Sequence, residues 1–561
     1  MRVSVRRFAA AVAGAFMALA VTGPVAAAEG DEVWSWGRNQ YGQLGNGTLN
    51  AAGEPVPGPV SLPSGTTVTA VSGGYGFSIA LTADGEVLAW GYNDEGQLGD
   101  GTYTRTTEPV SVDLPDGVTI TAISVGDDHT LALTSEGTVL AWGYNEWGQL
   151  GDGSTSDRNT PVLVDLPAGT VVKSISAGSG HSLALTSTGE VLAWGDNDFG
   201  QLGDGTTTQR ETPVEVTLPA GTTVTEIAGG GDHSLALTAT GDVLAWGYNA
   251  EGQLGDGTTT RRTTPVTTHI PPGVTVTAIA AASGFISFAL TSTGELLAWG
   301  DNAYGQLGDG TTTRRTEPIM VHLPAGASVV QVAAGDDHVI ALTSGGRIFA
   351  WGYNRYGQLG DGSTTNRSEP VEVEQPEGST IVAIGSGSYH GLAIARAPST
   401  TTTLTAEPGK ARTGEAVTFT AEVDCPSGNP TGTVVFTADG DAIGSAALQD
   451  GKATLTVTGL PEGRHEIVAA YQGNADCPAS TSETVVVTIT ACDVDPDETP
   501  SPDETPSPGE TPPPGPAGPP SCRDFLAVTG PDTGLIARTG LVVTLTGALV
   551  LLAVVASRRR A

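Results

Sequence analysis

Histidine is the residue best suited to acid–base or metal chemistry near neutral pH, and most histidines of this chain recur at one repeated position. Five of them precede the same short apolar run: His129, His181, His233, His338 and His390. Phe77 and Ile286 stand at the equivalent position in two further copies. Because an apolar side chain is accepted there, we interpret these histidines as packed, hydrogen-bonded scaffold and predict no catalytic residue among them.

Aspartate also recurs, in an Asp-Gly pair that could bind calcium or form a tight turn. The aspartates are Asp100, Asp152, Asp204, Asp256, Asp309 and Asp361, with Asn46 at the same place in the first copy. Calcium needs six to eight oxygens converging at ~2.4 Å, which one carboxylate per copy does not supply. Asp and Asn before Gly favour a turn in which the side chain bonds the local backbone, so no metal site is predicted.

Other catalytic patterns are missing from the sequence. It has no phosphate-binding glycine loop ending in Lys-Ser/Thr, no Gly-x-Ser-x-Gly elbow and no Cys/His cluster with zinc spacing. We therefore expect no enzymatic activity and no cofactor. The formal net charge of -36 argues against a nucleic-acid partner, because phosphate binding needs clustered lysine and arginine.

Aromatic residues just before a recurrent Gly-Gln-Leu-Gly segment are the strongest binding candidates. They are Tyr41, Trp147, Phe199, Tyr304 and Tyr356, with Glu95 and Glu251 in the two other copies. On one face of a ring they would form an annular platform for a protein or a glycan. Packing against the neighbouring copy is the alternative. The variable pairs that precede the histidine position, such as Asp127-Asp128, are a second candidate surface.

A repeated element must hold all these positions. The pair Trp-Gly occurs seven times at intervals of 52 to 54 residues, at Trp36, Trp90, Trp142, Trp194, Trp246, Trp299 and Trp351. Each copy offers about four short β-rich runs, which predicts a seven-bladed β-propeller over residues 32–396. The first copy lacks two of these runs, and residues 380–384 and 390–395 supply them, so we expect a closing blade built from both ends.

The series Trp-Gly, Asn, Gly-Gln-Leu-Gly resembles the regulator of chromosome condensation repeat family. The resemblance covers residues 32–396 and implies the seven-bladed fold with its split closing blade. Members of that family serve as nucleotide-exchange factors, scaffolds and secreted enzyme inhibitors, so the fold does not fix the function. We expect the propeller to bind a macromolecule. Inhibition of a secreted enzyme such as a β-lactamase is the alternative, and nucleotide exchange is disfavoured by export.

A different β pattern occupies residues 397–491 and resembles a bacterial immunoglobulin-like domain, through Gly432-Thr433-Val434-Val435-Phe436 and its neighbours. Cys425 and Cys477 fall within this β-sandwich. Because an exported chain meets oxidising conditions, we predict a disulfide between them.

The first residues predict export. Residues 1–28 carry Arg2, Arg6 and Arg7, an apolar run and a small-residue cleavage pattern, which indicates a signal peptide. The general secretory route is expected, with the twin-arginine route as the alternative.

At the other end, residues 492–525 repeat Thr-Pro-Ser-Pro and predict a disordered, extended stalk. Cys492 and Cys522 flank it, and their pairing stays open.

The last residues, 526–561, resemble a sortase sorting signal. The motif Leu526-Ala527-Val528-Thr529-Gly530 precedes an apolar run at 541–556, predicted as a helix, and three arginines. The resemblance implies cleavage after Thr529 and transfer to peptidoglycan, with the membrane holding the chain only before sorting. A plain membrane anchor is the alternative, although a run of 16 residues is short for a permanent span. We expect a protein on the cell wall of a Gram-positive bacterium that binds an extracellular protein or glycan.

Overall fold

The fold is given by a computed structural model, which describes residues 31–376, 379–396, 400–425, 429–474 and 477–491. Every regular element in these ranges is a β-strand, so the predicted all-β class is confirmed. The predicted signal peptide, stalk and C-terminal helix lie outside the described residues. In the part of the chain that is described, no helix is long and apolar enough to cross a membrane.

Residues 32–396 form seven four-stranded antiparallel sheets, here called blades 1 to 7. Blade 1 begins with β1 (Glu32–Asn39) and β2 (Asn50–Pro59). Blade 2 contains β3 (Val68–Gly73), β4 (Phe77–Thr82), β5 (Val87–Gly91) and β6 (Thr106–Ser111). Blade 3 contains β7 (Ile120–Val125), β8 (His129–Thr134), β9 (Val139–Gly143) and β10 (Arg158–Leu163). Blade 4 contains β11 (Val172–Ala177), β12 (His181–Thr186), β13 (Val191–Gly195) and β14 (Arg210–Glu215).

The remaining blades follow the same order. Blade 5 contains β15 (Val224–Gly229), β16 (His233–Thr238), β17 (Val243–Gly247) and β18 (Arg262–Thr267). Blade 6 contains β19 (Val276–Ala282), β20 (Ile286–Thr291), β21 (Leu296–Gly300) and β22 (Arg315–Met320). Blade 7 contains β23 (Val329–Ala334), β24 (His338–Thr343), β25 (Ile348–Gly352) and β26 (Arg367–Glu372). Finally, β27 (Thr380–Gly387) and β28 (His390–Arg396) complete blade 1.

Blade 1 closes the ring from both ends of the propeller. Its sheet order is β2-β1-β28-β27, and β1 pairs antiparallel with β28 so that Trp34 lies opposite Ala393. The predicted closing blade is therefore confirmed. This arrangement leaves no open end at which one blade could separate from the next.

The second and third strands of each blade are buried on both faces. All six residues of β8 are buried, as are all five of β9, because neighbouring sheets cover both sides. Trp142, on β9, packs with Phe77 and Ile79 of the preceding blade in one apolar cluster. The fourth strand, β10, is only half-buried. The core thus lies between blades, which explains the apolar runs without strict alternation.

The second compact unit is the immunoglobulin-like β-sandwich. One sheet has the order β29-β31-β34, and the other runs β30-β37-β35-β32-β33 with β36 paired to β35. Its strands are β29 (Thr401–Glu407), β30 (Lys410–Arg412), β31 (Val417–Asp424), β32 (Thr433–Ala438), β33 (Asp441–Ala447), β34 (Lys452–Val457), β35 (Gly463–Tyr471), β36 (Ser480–Thr481) and β37 (Val485–Thr490). Cys425 and Cys477 form the predicted disulfide, with their Cα atoms 5.9 Å apart. Cys492 and Cys522 lie outside the described residues.

Candidate functional site

The repeated tryptophan joins each blade to the one before it. Nε1 of Trp142 donates a hydrogen bond of 3.0 Å to the backbone carbonyl of Gln97, and Trp36 does the same to Gln358 at 2.9 Å, across the ring closure. All seven tryptophans make this bond. Gly99 has φ +66°, and a Cβ there would lie 2.7 Å from Trp142 Nε1. The Trp-Gly and Gly-Gln-Leu-Gly segments are therefore two halves of one inter-blade joint.

The repeated histidines make a second joint between blades. His181 Nε2 lies 2.9 Å from Ser234 Oγ, which donates to the backbone carbonyl of Gln201 at 2.8 Å. Because the only hydroxyl proton goes to that carbonyl, the imidazole donates from Nε2 and carries no proton on Nδ1. Nδ1 has no partner among the described residues, and burial lowers the pKa of His181 to about 3. The histidine is a neutral donor in the scaffold.

The exceptions to this joint follow the sequence. The same His–Ser contact recurs for His129–Ser182, His233–Ser287 and His390–Ser78, whereas His338 lies 3.2 Å from Ser386 Oγ because Gly391 stands at the serine position. Blade 2 carries Phe77 instead, and the hydroxyl of Thr130, at the serine position of blade 3, has no hydrogen-bond partner within the described part of the chain. In blade 6 Ile286 replaces the histidine, and Val339 stands at the serine position within the same apolar cluster. Where Ile286 replaces the histidine donor, the facing position is also apolar. Where Phe77 replaces it, the facing hydroxyl is left without a hydrogen bond among the described residues.

Five of the six aspartates of the Asp-Gly turns have largely buried side chains that are paired with arginine. Asp204 accepts a bond of 2.9 Å from the Thr206 amide and one of 2.6 Å from Arg210 Nη2, and its side chain is 7% exposed. Burial raises its pKa, but the bonds from Thr206 and Arg210 outweigh this and hold the pKa below its usual value. The turn was predicted from the sequence, whereas the arginine was missed. The signal was an arginine six residues after the aspartate in five copies.

No group of three or more His, Cys, Asp or Glu side chains in the described ranges is arranged to hold a metal ion. The central channel is narrow where the inner loops of the described blades meet. There the amide of Tyr75 donates to the carbonyl of Asp127 at 2.8 Å, and Ser388 donates to Gly74 at 3.1 Å. The space inside is about 50 Å³, enough for a few water molecules.

Two sets of loops lie together on one face of the propeller, here called the loop face. One set joins the first and second strands of each blade, and the other joins the third and fourth. They are hydrogen-bonded to each other, as in the 2.9 Å bond from the Tyr144 amide to the Asp128 carbonyl. The two candidate surfaces that the sequence suggested are thus parts of a single surface.

All five predicted platform aromatics lie in loops of this face, and each has an aromatic neighbour. The ring centroids are 5.0 Å apart for Tyr41–Tyr92, 5.3 Å for Trp147–Tyr144, 4.9 Å for Phe199–Tyr248, 4.8 Å for Tyr304–Tyr353 and 5.9 Å for Tyr356–Tyr389. Trp147 and Tyr304 are nevertheless 39% and 40% exposed, whereas the other three are half-buried. Trp147 and Tyr304 therefore pack against an aromatic neighbour and are also exposed to solvent. Most of the neighbours directly follow Trp-Gly, a position that sequence reasoning passed over.

One sector of the loop face surrounds a cation of the chain itself. The guanidinium carbon of Arg38 lies 5.2 to 5.4 Å from the ring centroids of Tyr41, Tyr75, Tyr356 and Tyr389. Arg38 is 7% exposed, and its Nε donates to Gln40. These cation–π contacts join blades 7, 1 and 2 at the ring closure. Two of the predicted platform residues are thus committed to holding Arg38.

Another sector forms a cleft of about 380 Å³ between the loops of blades 2 to 5, here called the acidic cleft. Its aromatic walls are Tyr92, Tyr144 and Trp147. Its five carboxyl groups belong to Glu95, Asp127, Asp128, Asp196 and Asp232. None of the five forms an ion pair with an arginine, lysine or histidine that the structure describes. Burial and then neighbouring carboxylates raise the pKa of Asp128 and Asp232 to about 6.

Family comparisons match both units of the chain. The RCC1-like domain matches residues 165–403, and the regulator of chromosome condensation (RCC1) repeat matches residues 31–81, 84–133 and 136–185. The bacterial Ig-like domain (group 3) matches residues 404–490.

Similar proteins and structures carry the propeller alone or within larger chains. The ultraviolet-B receptor UVR8 of Arabidopsis thaliana is 36% identical over 353 residues, which cover 62% of this chain and 79% of that protein. The human E3 ubiquitin-protein ligase HERC2 is 33% identical over 64% of this chain, which spans only 8% of its length. The crystal structure of human WBSCR16 superposes with a TM-score of 0.59 at 27% identity, over 66% of this chain and 99% of that one. Prp20p of Saccharomyces cerevisiae has the same TM-score at 23% identity, over 68% and 96% of the two chains, and shares the fold.

Proposed function

The chain belongs to the regulator of chromosome condensation (RCC1) repeat family, and from this premise we propose that its propeller is a non-enzymatic module that binds a macromolecule through the loop face. The single observation that carries the proposal is the pair of exposed aromatic side chains, Trp147 and Tyr304, in loops of a ring whose blades are bonded to one another. Rigid aromatic groups on a preformed surface are favoured anchors for recognition because little freedom is lost on binding.

A protein or a glycan could occupy this surface, and a protein is the occupant that relatives support. Prp20p of Saccharomyces cerevisiae has binding properties to Gsp1p and histones, which are both proteins. Inhibition of a secreted enzyme such as a β-lactamase would use the same loop face, since preformed aromatic anchors suit tight binding to a folded protein. Nucleotide exchange on a small GTPase needs a cytosolic partner, which export would remove.

Export and attachment to the cell wall complete the proposal. Residues 1–28 support export, and Leu526-Ala527-Val528-Thr529-Gly530 with the following apolar run supports sorting to peptidoglycan. Mass spectrometry of protein released from the wall should give a chain that ends at Thr529. Recovery of chains that end at Ala561 would favour the plain membrane anchor instead.

Partner capture tests the loop face. The full chain is to be presented to purified wall glycan and to the secreted proteins of its host, in parallel with a Trp147→Ala/Tyr304→Ala variant. We expect the variant to lose most of the capture. The matched control is Leu163→Ala/Met320→Ala, which removes two exposed apolar side chains from outer strands and should capture normally. Equal capture by both variants would contradict a role for the loop face.

A further inference from the structure

The acidic cleft has a chemistry that the proposed binding role does not specify. Three aromatic side chains face unpaired carboxyl groups in a concavity that four different blades build together. We propose that this cleft binds a lysine or arginine side chain presented by a basic segment of a protein partner. The inference rests on the proposed binding function and commits it to a partner of defined charge.

Elsewhere on the propeller, arginine side chains already have partners within the chain. The aspartates of five Asp-Gly turns are each paired with an arginine, and Arg38 lies among four tyrosines. Arg105 pairs with Asp94, and its guanidinium carbon lies 4.6 Å from the ring centroid of Tyr92, which lines the cleft. The cleft carboxyl groups have neutral hydrogen-bond partners instead, such as Gln97 Nε2 at 3.1 Å from Asp128. Their mutual repulsion is therefore uncompensated in the free protein, and a bound cation would relieve it.

Asp127 provides an independent observation at the edge of the cleft. Its carboxyl group interacts with the hydroxyls of Ser179 and Ser283, but its Oδ1 atom is shielded from solvent and has no hydrogen-bond partner among the described residues. A buried acceptor without a donor is costly. Ammonium and guanidinium groups are rich in donors and have no acceptor, so they match a lining that carries five carboxyl groups.

The aromatic walls fit the same ligand. Trp147 is 39% exposed and meets Tyr144 edge-on, at 88° and 5.3 Å between centroids, which leaves indole surface open to the cleft. A cation over an indole face is attracted by the ring quadrupole, and the aliphatic stem of lysine or arginine packs on aromatic carbon. A neutral sugar would also stack on Trp147, but it brings no positive charge to the carboxylates. The carboxylates therefore favour a lysine or arginine side chain over a neutral sugar.

The direct test is calorimetric titration of the full chain with short blocked peptides at pH 7.5. Tetralysine and tetra-arginine should bind, whereas tetraserine and the neutral glycan chitohexaose should not. Asp128→Asn/Asp232→Asn should weaken tetralysine binding at least tenfold, and Trp147→Ala should weaken it as well. The fluorescence of the buried tryptophans checks that each variant is folded.

A matched control separates the cleft from the overall negative charge of the chain. Asp113→Asn/Asp116→Asn removes the same two charges from exposed residues between β6 and β7, at the opposite end of the strands from the loop face. This control should bind tetralysine as the parent does. Equal weakening by both double variants, or binding of chitohexaose with no effect of Asp128→Asn/Asp232→Asn, would overturn the proposal.

The two proposals fail in different ways. If neither cationic peptide binds but Trp147→Ala/Tyr304→Ala still abolishes partner capture, the acidic cleft is not a cation site and the loop face remains the binding surface. If the peptides bind in the cleft but partner capture is indifferent to the loop-face variant, the proposed function is wrong and the cleft is a cation site without that role.

Discussion

Replacing His181 by phenylalanine isolates one joint of the propeller. The substitution removes the Nε2 donor to Ser234, whose hydroxyl keeps its bond to the Gln201 carbonyl. Phenylalanine is a natural occupant of this position, because Phe77 fills it in blade 2 with no exposed surface. We therefore expect the loss of one hydrogen bond, without a cavity, and a decrease of ~1 kcal/mol in the free energy of unfolding at pH 7.5.

The same substitution should stabilise the propeller in acid. The folded pKa of His181 is about 3, below its ordinary value of 6.5, so the unfolded chain takes up a proton between these values and the folded chain does not. The stability that the neutral histidine contributes is complete above pH 6.5 and is lost as pH falls toward 3. At pH 5 this loss is ~2 kcal/mol, from ~1.4 kcal/mol per pKa unit. His181→Phe escapes it, and should be ~1 kcal/mol more stable than the parent there.

Urea titrations at pH 7.5 and pH 5, followed by tryptophan fluorescence, measure this reversal. All nine tryptophans lie between Trp34 and Trp351, so the signal reports the propeller even in the full chain. Thr130→Val is the matched control, because its hydroxyl bonds none of the residues that the structure describes and its removal should change stability equally little at both pH values. A His181→Phe variant that is less stable than the parent by the same amount at both pH values would refute a neutral, buried histidine.

Three further predictions concern other parts of the chain. Asp204→Asn keeps the turn acceptor but loses the charge that faces Arg210, and should lower the free energy of unfolding in urea by about 1 to 2 kcal/mol. Combining it with Arg210→Gln should lower that free energy no further. Cys425→Ser/Cys477→Ser opens a bridge that spans 52 residues and should destabilise the immunoglobulin-like unit by ~4 kcal/mol in calorimetry, while tryptophan-monitored unfolding of the propeller stays unchanged. Tetralysine should bind ~10-fold more weakly at pH 5 than at pH 7.5, because carboxyl groups such as Asp128, with a pKa of about 6, are mostly protonated at the lower pH; a pH-independent affinity in calorimetry would contradict this.

The sequence predicted the architecture because the repeat carries it. Each blade reproduces the tryptophan joint, so the period of Trp-Gly and the missing runs at the first copy were enough to place the closing blade. The chemistry of the joints was harder to predict, because His181 bonds a serine 53 residues later, one full copy away. The serine that directly follows the histidine position in four copies held that information, as did the arginine six residues after each paired aspartate.

The acidic cleft was beyond sequence reasoning for a different reason. Glu95 and Asp232 lie far apart in the chain, in different blades, and only the curvature of the ring brings them into one lining. The residues around them in the sequence do not distinguish these carboxylates from the others, since carboxylates are common throughout this acidic chain. What separates these carboxylates from those of the turns is the lack of a paired arginine, and pairing is a property of three-dimensional placement.

The division of the loop face into sectors bears on how a partner would be oriented. The seven similar blades place equivalent loops at seven positions around the ring axis. A ligand that contacted only the repeated residues could therefore bind in several orientations. The Arg38 sector is satisfied internally by its tyrosines, whereas the acidic cleft keeps unpaired carboxylates over blades 2 to 5. A basic segment would gain charge pairing in one of these sectors and not in the other. The asymmetric charge would thus favour docking of a basic segment at the acidic cleft over the Arg38 sector, and the aromatic residues around the ring would contribute contact area.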